Sequence, residues 1–309
     1  MGTGTWLEVA LNGAWGKSRQ PRMPVAVRDI VQEGIAVARA GAAILHFHAY
    51  DEHTGIQKDD WQLYAKIIEG IRAEVDVIAY PTIPLAGSTL TAQANSARER
   101  YRHVDELASR GLLEWAVVDP GSCNFLRYDA GARGESSFVY LNSGDDIEEG
   151  LRLCAQHKLH PSYAIYEPGF ARLGADLASK RPDLPRPIYR LMFSDEYAWG
   201  FPPEPYALEA YLTLLRRVAP QAPWMVAGLG ADVRPLIEAT VAAGGHLRVG
   251  LEDAHLGTDR SHAELVEEAA RLLYHAGAHL ASADTIRRSL RAGGKGSQRV
   301  EQPQSETSR

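Results

Sequence analysis

Short apolar runs alternate along the chain with longer segments in which apolar residues recur at helical spacing. Runs that are apolar almost throughout are typical of strands buried on both faces, as in parallel sheets. The predicted strands are Trp6–Leu11, Ala42–His48, Val75–Thr82, Leu113–Asp119, Ser162–Glu167, Ile188–Ser194, Trp224–Leu229 and His246–Asp253. The predicted helices are Val25–Ala40, Trp61–Arg72, Ala97–Arg110, Asp146–Lys158, Phe170–Ser179, Tyr206–Ala219, Val233–Ala243 and Ser261–Ala276.

Eight predicted strands thus alternate with about eight predicted helices, and no linker rich in Pro, Gly and Ser divides them. This count favours a closed (β/α)8 barrel, the TIM barrel, as a single catalytic domain over residues 1–291. A doubly wound open sheet is the alternative, but the turn at residues 12–16 lacks the G-x-G-x-x-G fingerprint of that fold. Ala281–Arg291 predicts a short C-terminal helix. Residues 292–309 are polar with almost no apolar anchor and predict a flexible tail.

Composition and charge narrow the classes of function. The 309 residues carry 33 Lys and Arg against 39 Asp and Glu, a formal net charge of −6. A mildly acidic chain without a basic stripe is not typical of proteins that bind nucleic acid or anionic membranes. The sequence also lacks the features of a signal peptide and any run of ~20 consecutive apolar residues. Because Cys123 and Cys154 cannot form a disulfide framework, we expect a cytoplasmic enzyme.

A His-x-His pair closes the second predicted strand. Since side chains alternate along a strand, His46 and His48 point to one face and Phe47 points to the other. In a barrel that shared face is the interior, at the rim where loops build the active site. Two converging imidazoles can bind one metal ion. The alternative is a pair of hydrogen-bonded interior histidines.

A second polar cluster closes the last predicted strand, where Arg248, Gly250 and Glu252 share one face. Barrel closure places this strand beside the first strand, which lies beside the histidine strand, so Glu252 can approach both histidines. Two histidines and a carboxylate make a catalytic metal site with an open position. The alternative is an interior ion pair between Glu252 and Arg248. Asp253 is predicted to face a different direction from Glu252. It can then be a general base beside the metal, or it can cap the helix that follows.

Two segments, Ala42–Asp51 and Gly244–Ala254, resemble the β-keto acid cleavage enzyme family, whose founding member is the 3-keto-5-aminohexanoate cleavage enzyme. The resemblance runs from about Glu8 to Leu290, and further similar stretches are Asp119–Phe125, Tyr166–Gly169 and Trp224–Gly230. It implies a zinc-bearing (β/α)8 barrel that uses acetyl-CoA to cleave β-keto acids, giving acetoacetate and a new CoA thioester. It also implies a homo-oligomer.

By position, the resemblance implies that His46, His48 and Glu252 hold the zinc ion. It further implies that Asp253 is the catalytic base and that Arg248 hydrogen-bonds near the reacting groups. The chemistry suits a β-keto acid, because an ion that chelates its keto and carboxylate oxygens stabilises the enolate formed at its acidic methylene. Arg248 would counter the developing oxyanion charge. The metal's identity rests on the resemblance, since the same ligands also suit Fe, Co or Mn.

The chain departs from the family pattern in its substrate pocket. Trp15 stands where the founding enzyme has a glutamate, and Tyr50 where the family commonly has an arginine. The family's Ser-Thr-Gly-Gly turn is Pro81–Pro84 here, and Pro84 has no N–H to offer a carboxylate. We therefore expect a substrate whose distal group is uncharged or apolar.

Three polar residues, Thr82, Ser122 and Asn124, lie at or just beyond predicted strand ends. They can bind the substrate carboxylate or cap turns. Two other functions stay open for the chain: a zinc-dependent hydrolase or aldolase that does not use acetyl-CoA, and a non-catalytic binding relative. Activity without acetyl-CoA would indicate the former, and retained zinc without activity would indicate the latter.

Overall fold

Eight parallel strands form a barrel in the computed structural model of the chain, which describes residues 4–86, 94–128 and 137–292. The strands of these residues are β1 (Leu7–Ala10), β2 (Ile44–Phe47), β3 (Ile78–Pro81), β4 (Trp115–Val117), β5 (Cys123–Phe125), β6 (Phe138–Tyr140), β7 (His160–Ile165), β8 (Ile188–Phe193), β9 (Trp224–Gly228) and β10 (His246–Gly250). Their order in the barrel is β3-β2-β1-β10-β9-β8-β7-β4, while β5 and β6 form a separate antiparallel hairpin. The end strands β3 and β4 meet through Tyr80 and Trp115, whose ring centroids are 5.8 Å apart, so the barrel is nearly closed.

Helices connect the strands and pack around the barrel. The described residues form α1 (Val27–Arg39), α2 (Trp61–Arg72), α3 (Ala97–Arg100), α4 (Arg102–Ser109), α5 (Gly144–His157), α6 (Pro168–Ser179), α7 (Pro205–Val218), α8 (Ile237–Ala242), α9 (His262–His275) and α10 (Ala283–Ala292). Reciprocal hydrogen bonds between Ser143 and Asp146 begin α5, as the capping-box spacing requires. The predicted helix Ala97–Arg110 is divided into α3 and α4 at the buried Tyr101, which departs from helical geometry with ψ of 5°.

The prediction of a TIM barrel followed by a short C-terminal helix is confirmed. Of the predicted tail, residues 293–309 lie outside the described residues. The single catalytic domain over 1–291 stays a prediction. The sequence does not predict the hairpin of β5 and β6, because strands of three residues are too short for a periodic signal. Within the described ranges, none of the helices combines the length and apolar character that crossing a bilayer requires.

A polar layer fills the barrel interior below the carboxyl ends of the strands. Glu8 of β1 and Arg248 of β10 are neighbours in register and are 0% and 1% exposed. Arg248 Nη1 lies 3.3 Å from Glu8 Oε1, which also accepts a 2.6 Å hydrogen bond from the Tyr80 hydroxyl. Buried charges are tolerated when they are paired and hydrogen-bonded. This layer therefore anchors Arg248, whose guanidinium reaches the residues above it.

Candidate active site

Three predicted metal ligands converge at the carboxyl end of the barrel. His46 lies in β2, His48 directly follows that strand, and Glu252 lies two residues after β10. The Nε2 atoms of His46 and His48 lie 3.5 and 3.3 Å from the two carboxylate oxygens of Glu252. One ligand atom from each of the three residues lies within 4.8 Å of the others, so the three can share one ion.

A tight turn after β10 brings Glu252 to the histidines. Gly250 has a φ of +143°, and a Cβ at this position would lie 2.1 Å from the carbonyl oxygen of Ala10 in β1. The chain therefore bends closely over β1, which lies between β10 and β2. On the other side, Trp15 Nε1 donates a 3.1 Å hydrogen bond to the carbonyl oxygen of Glu252. Glycine and tryptophan together fix the backbone that carries this ligand.

The orientation of the His48 ring is set by a chain of side chains behind it. Its Nδ1 lies 2.7 Å from Gln57 Oε1, and Gln57 Nε2 donates to both carboxylate oxygens of Asp59 at 2.9 and 3.0 Å. The Tyr64 hydroxyl also donates to Asp59, at 2.8 Å. Because Asp59 takes the amide hydrogens, the Gln57 oxygen faces His48 and accepts from its Nδ1–H. The lone pair of His48 is therefore on Nε2, towards Glu252.

The donor set fits a divalent ion of the zinc type. Two ligands that are each about 2.05 Å from zinc at a tetrahedral angle are about 3.3 Å apart, close to the measured 3.3 and 3.5 Å. Among the described residues, His48 Nε2 has no hydrogen-bond partner, as expected of a ligand atom. Burial lowers the pKa of His46 well below its usual value, so its imidazole is neutral, the form that binds metals. Three protein ligands leave a position for substrate.

Arg248 links the predicted ligand Glu252 to Asp253. Its Nη2 lies 2.9 Å from Glu252 Oε2 and 2.8 Å from Asp253 Oδ1, and its Nε donates to Asp253 Oδ2 at 2.9 Å. Burial by itself raises the pKa of Glu252, but the charge of the Arg248 guanidinium leads the interactions that hold that pKa below its usual range. At Asp253 burial outweighs Arg248 and raises the pKa to about 6. Both groups are therefore carboxylates at neutral pH.

A cavity of about 480 Å³, counted to its open mouth, lies over the triad. Its wall contains His46, His48 and Glu252 together with two predicted substrate-binding residues, Trp15 and Thr82. Much of the remaining wall is aromatic or aliphatic, and includes Ile83, Phe125, Tyr140, Tyr166 and Leu229. A concave space whose wall combines aromatic and aliphatic side chains with several polar groups is typical of a site for a small organic substrate.

Three other residues predicted to bind substrate lie away from this wall. Tyr50 is buried, and its hydroxyl donates to the carbonyl oxygen of Gly13. The Ser122 hydroxyl donates to Asn142 O at 3.0 Å and accepts from Asn142 N at 2.8 Å. Asn124 is exposed in β5. A residue's position near a strand end does not determine where its side chain points, because side chains alternate between the two faces only within the regular strand.

Asp253 also lies outside the metal cavity, in agreement with its predicted difference in direction from Glu252. Together with Arg248 it borders a second cavity, of about 880 Å³ counted to its mouth, beside the carboxyl ends of β9 and β10. Helices α8 and α9 contribute Ile237 and Leu265 to the other side of this space. Asp253 thus contacts the metal site through Arg248.

Four polar residues that the structure brings to the site are absent from the set predicted from the sequence. Arg190 and Asp119 lie on the cavity wall, Glu8 lies beneath it, and Gln57 supports His48. A charged residue inside an otherwise apolar predicted strand indicates a polar group in the barrel interior, and both Arg190 and Glu8 are such residues. Gln57 gives no such signal, since it lies in a loop and becomes a partner of His48 only through the tertiary fold.

Comparisons with known proteins cover nearly the whole chain. A sequence profile described as "BKACE: beta-keto acid cleavage enzyme" matches residues 5–291. The chain is 26% identical over 291 residues to the 3-dehydrocarnitine:acetyl-CoA trimethylamine transferase of Rhizobium meliloti (strain 1021), covering 89% of this chain and 91% of that protein. It is 27% identical over 281 residues to a 3-keto-5-aminohexanoate cleavage enzyme of Fusobacterium nucleatum subsp. nucleatum, covering 89% of this chain and 92% of that protein. The apo structure of ObcA shares the fold, with a TM-score of 0.68 and 16% identity over 89% of this chain and 66% of ObcA.

Proposed function

Because the chain belongs to the beta-keto acid cleavage enzyme family, we propose that it is a zinc-dependent enzyme that converts a β-keto acid and acetyl-CoA into acetoacetate and a new CoA thioester. Membership confirms the resemblance indicated by the dispersed sequence motifs. The observation that carries the proposal is the convergence of His46, His48 and Glu252 on the wall of one cavity. The acetyl-CoA transferase name of the Rhizobium meliloti relative supports the choice of co-substrate.

The reaction exchanges one acyl group for another. A base removes a proton from the methylene of R–CO–CH2–COO⁻, and this carbon attacks the acetyl carbonyl of acetyl-CoA and expels CoA thiolate. The thiolate then attacks the original keto carbon, and the bond between that carbon and the former methylene carbon breaks. Protonation of the released carbanion gives CH3–CO–CH2–COO⁻ beside R–CO–S-CoA. Every atom of the two substrates is found in the two products.

The residues of the site divide these tasks. His46, His48 and Glu252 would hold a divalent ion, and that ion would supply Lewis-acid polarisation of the substrate. Arg248 cannot lose its proton, and the donors that bind Asp253 in the free enzyme become available to substrate oxygens when Asp253 turns towards the substrate.

Asp253 is our proposed base. Burial raises its pKa to about 6, so at neutral pH it is ionised and is a stronger base than an exposed aspartate. In the free enzyme its carboxylate is bound by Arg248. Removal of the methylene proton therefore requires Asp253 to turn from this ion pair towards the substrate. Such a rearrangement is common, because catalytic hydrogen bonds often form only in the enzyme–substrate complex.

Trp15 restricts the distal group of the substrate. Its indole forms part of the cavity wall, and its Nε1 is already bonded to the carbonyl oxygen of Glu252. An ammonium group that relies on a carboxylate partner would find none at position 15, where the indole ring offers a cation only the attraction of its π face. We therefore propose that the distal group is uncharged or apolar. A clear kinetic preference for a cationic β-keto acid would contradict this assignment.

Incubation of the purified enzyme with acetyl-CoA and pooled β-keto acids tests the reaction. Acetoacetate and a new CoA thioester should appear in equal amounts by mass spectrometry. Glu252→Gln should abolish both products, whereas His53→Ala, which removes an exposed histidine, should leave them unchanged. A zinc-loaded enzyme that forms no acetoacetate from any of these acids would overturn the proposal. Product formation without acetyl-CoA would instead indicate a hydrolase or aldolase.

The proposal includes two properties that follow from the resemblance and from composition. We propose that the enzyme forms a homo-oligomer, which light scattering of the purified protein measures directly. We also propose that it acts in the cytoplasm, which cell fractionation tests.

A further inference from the structure

Arg190 is a buried cation with few partners. It lies in β8, is 3% exposed, and forms part of the wall of the metal cavity. Its Nε has no hydrogen-bond partner among the described residues. Its Nη2 makes two long contacts, 3.5 Å to the carbonyl oxygen of Ser162 and 3.9 Å to Asp119 Oδ1. Because buried guanidinium groups are stabilised by several short hydrogen bonds, Arg190 retains capacity for an anion.

The neighbouring carboxylate does not use this capacity. Asp119 Oδ1 accepts a 2.8 Å hydrogen bond from the backbone N–H of Ala164, and Asp119 Oδ2 accepts one of 2.8 Å from the Tyr140 hydroxyl. These bonds hold Asp119 too far from Arg190 for a short ion pair. Burial also raises the pKa of Asp119, which weakens it as a counter-ion. Asp119 therefore compensates the charge of Arg190 only loosely. Glu8 also favours the charged guanidinium, but its Oε1 already binds Arg248 and Tyr80.

Two hydroxyl residues near the cavity are already hydrogen-bonded. The backbone N–H of Thr82 donates to Phe47 O, and its hydroxyl donates to Ile83 O at 3.2 Å. Pro84 has no N–H, and Ser122 is bonded to Asn142. Within the part of the chain that the structure describes, Arg190 is the sole Arg or Lys side chain on the cavity wall.

We propose that Arg190 binds the carboxylate of the β-keto acid substrate. This inference rests on the proposed function, because it assigns one group of that function's substrate. Strand β8 is four strands from β2 in either direction around the barrel, so Arg190 lies across the cavity from the histidine strand. A substrate whose keto group meets the triad can then direct its carboxylate to the opposite wall. A carboxylate has two oxygens, so a contact of one with the triad still leaves the other for Arg190.

The assignment makes Arg190 a specificity-determining residue. It selects an acid over the corresponding amide or ester by charge, because a guanidinium binds a carboxylate more strongly than a neutral acyl group. It also binds the carboxylate in place of the backbone N–H that Pro84 lacks. The distal group of the substrate is then left for the apolar wall that includes Trp15.

Paired ligands test the inference in the zinc-loaded enzyme. Acetoacetate and acetoacetamide have the same skeleton, but only the first carries a charge, and calorimetric titration gives the Kd of each. Arg190→Gln should weaken acetoacetate binding roughly 10- to 100-fold, the range expected for one hydrogen-bonded charge. Binding of acetoacetamide should change much less. In turnover, KM for the β-keto acid should rise more than kcat falls.

Two further variants act as controls. Arg152→Gln removes an exposed charge from α5 and should change neither Kd. Arg190→Lys keeps the positive charge but loses the planar guanidinium group that donates two parallel hydrogen bonds, so it should keep part of the preference for acetoacetate. It also provides the test if Arg190→Gln does not fold. Equal weakening of both ligands by Arg190→Gln, or no weakening of acetoacetate by either Arg190 variant, would overturn the inference.

The outcome separates this inference from the proposed function. If the wild-type enzyme produces acetoacetate and Arg190→Gln leaves the ligand preference unchanged, the reaction stands and the anion site is wrong. If the wild-type enzyme produces no acetoacetate but its preference for acetoacetate over acetoacetamide disappears in Arg190→Gln, the anion site stands and the proposed reaction is wrong.

Discussion

Replacement of Gln57 by Leu should weaken zinc binding without removing a metal ligand. Gln57 is 2% exposed, and its carboxamide oxygen lies 2.7 Å from Nδ1 of His48. Its amide hydrogens are taken by Asp59. The hydrogen bonds from Asp59 through Gln57 keep the proton of His48 on Nδ1 and the lone pair on Nε2, the atom predicted to bind the ion. A leucine of similar size fills the space but accepts no hydrogen bond, so the tautomer and the ring orientation of His48 are no longer fixed.

The size of the effect follows from the position of Gln57 behind a ligand. Loss of a partner that orients a metal-binding histidine lowers metal affinity about 10- to 100-fold, which corresponds to about 1.4–2.7 kcal/mol. The variant also leaves the His48 Nδ1–H buried without an acceptor. We therefore expect the free energy of unfolding of the metal-free protein to fall by about 1–3 kcal/mol. The two effects are measured separately.

Competition with a chromophoric zinc chelator gives the Kd of zinc, and urea unfolding of the metal-free protein gives the stability. Gln62→Leu makes the same chemical change at an exposed position of α2 and should leave zinc binding unaltered. The reasoning would be refuted if Gln57→Leu bound zinc as tightly as the wild-type protein while remaining folded.

Three further variants probe other parts of the site. His46→Ala should lose zinc and acetoacetate formation together while circular dichroism remains that of the folded protein; full zinc occupancy would contradict the proposed triad. Gly250→Ala should lower the free energy of unfolding by more than ~1 kcal/mol in urea titrations, because a Cβ at this position would clash with Ala10 O. The control is Gly244→Ala, which also has a positive φ but has open space around the new Cβ, so it should lower the free energy of unfolding by less. Burial raises the pKa of Asp119 above 3.8, so the folded state holds that proton to higher pH and the free energy of unfolding falls as pH rises through this interval. Asp119→Asn should flatten this fall when urea titrations are repeated at pH values above about 4, and an unchanged slope would argue against a buried carboxyl with a raised pKa.

The strand and helix pattern predicts the barrel because each parallel strand is buried on both faces and so is apolar over most of its length. The structure refines this pattern at short elements. The interruption at Tyr101 and the hairpin of β5 and β6 depend on contacts with distant segments, and neither produces a periodic signal in the sequence.

The site is predictable to the extent that it lies on strands. Side-chain alternation places His46 in the interior at a fixed position, and the order of strands in a closed barrel brings Glu252 near it. Ser122 and Asn124 are also close to strand ends in sequence, yet the structure directs them elsewhere, because the hairpin after β4 turns them away from the cavity. Beyond the last residue of a strand, direction is decided by the path of the loop.

The sequence alone determines the number and order of the barrel strands, and from these the end of the barrel where His46, His48 and Glu252 collect. The hydrophobic period and the order of the strands along the chain can be read from the sequence without knowledge of any tertiary contact. The tertiary structure alone decides that Gln57 supports His48 and that Arg190 remains a loosely paired cation on the cavity wall. These properties depend on distances between groups from separate segments, and the same side chains would be ordinary polar residues if the surrounding loops and strands packed differently.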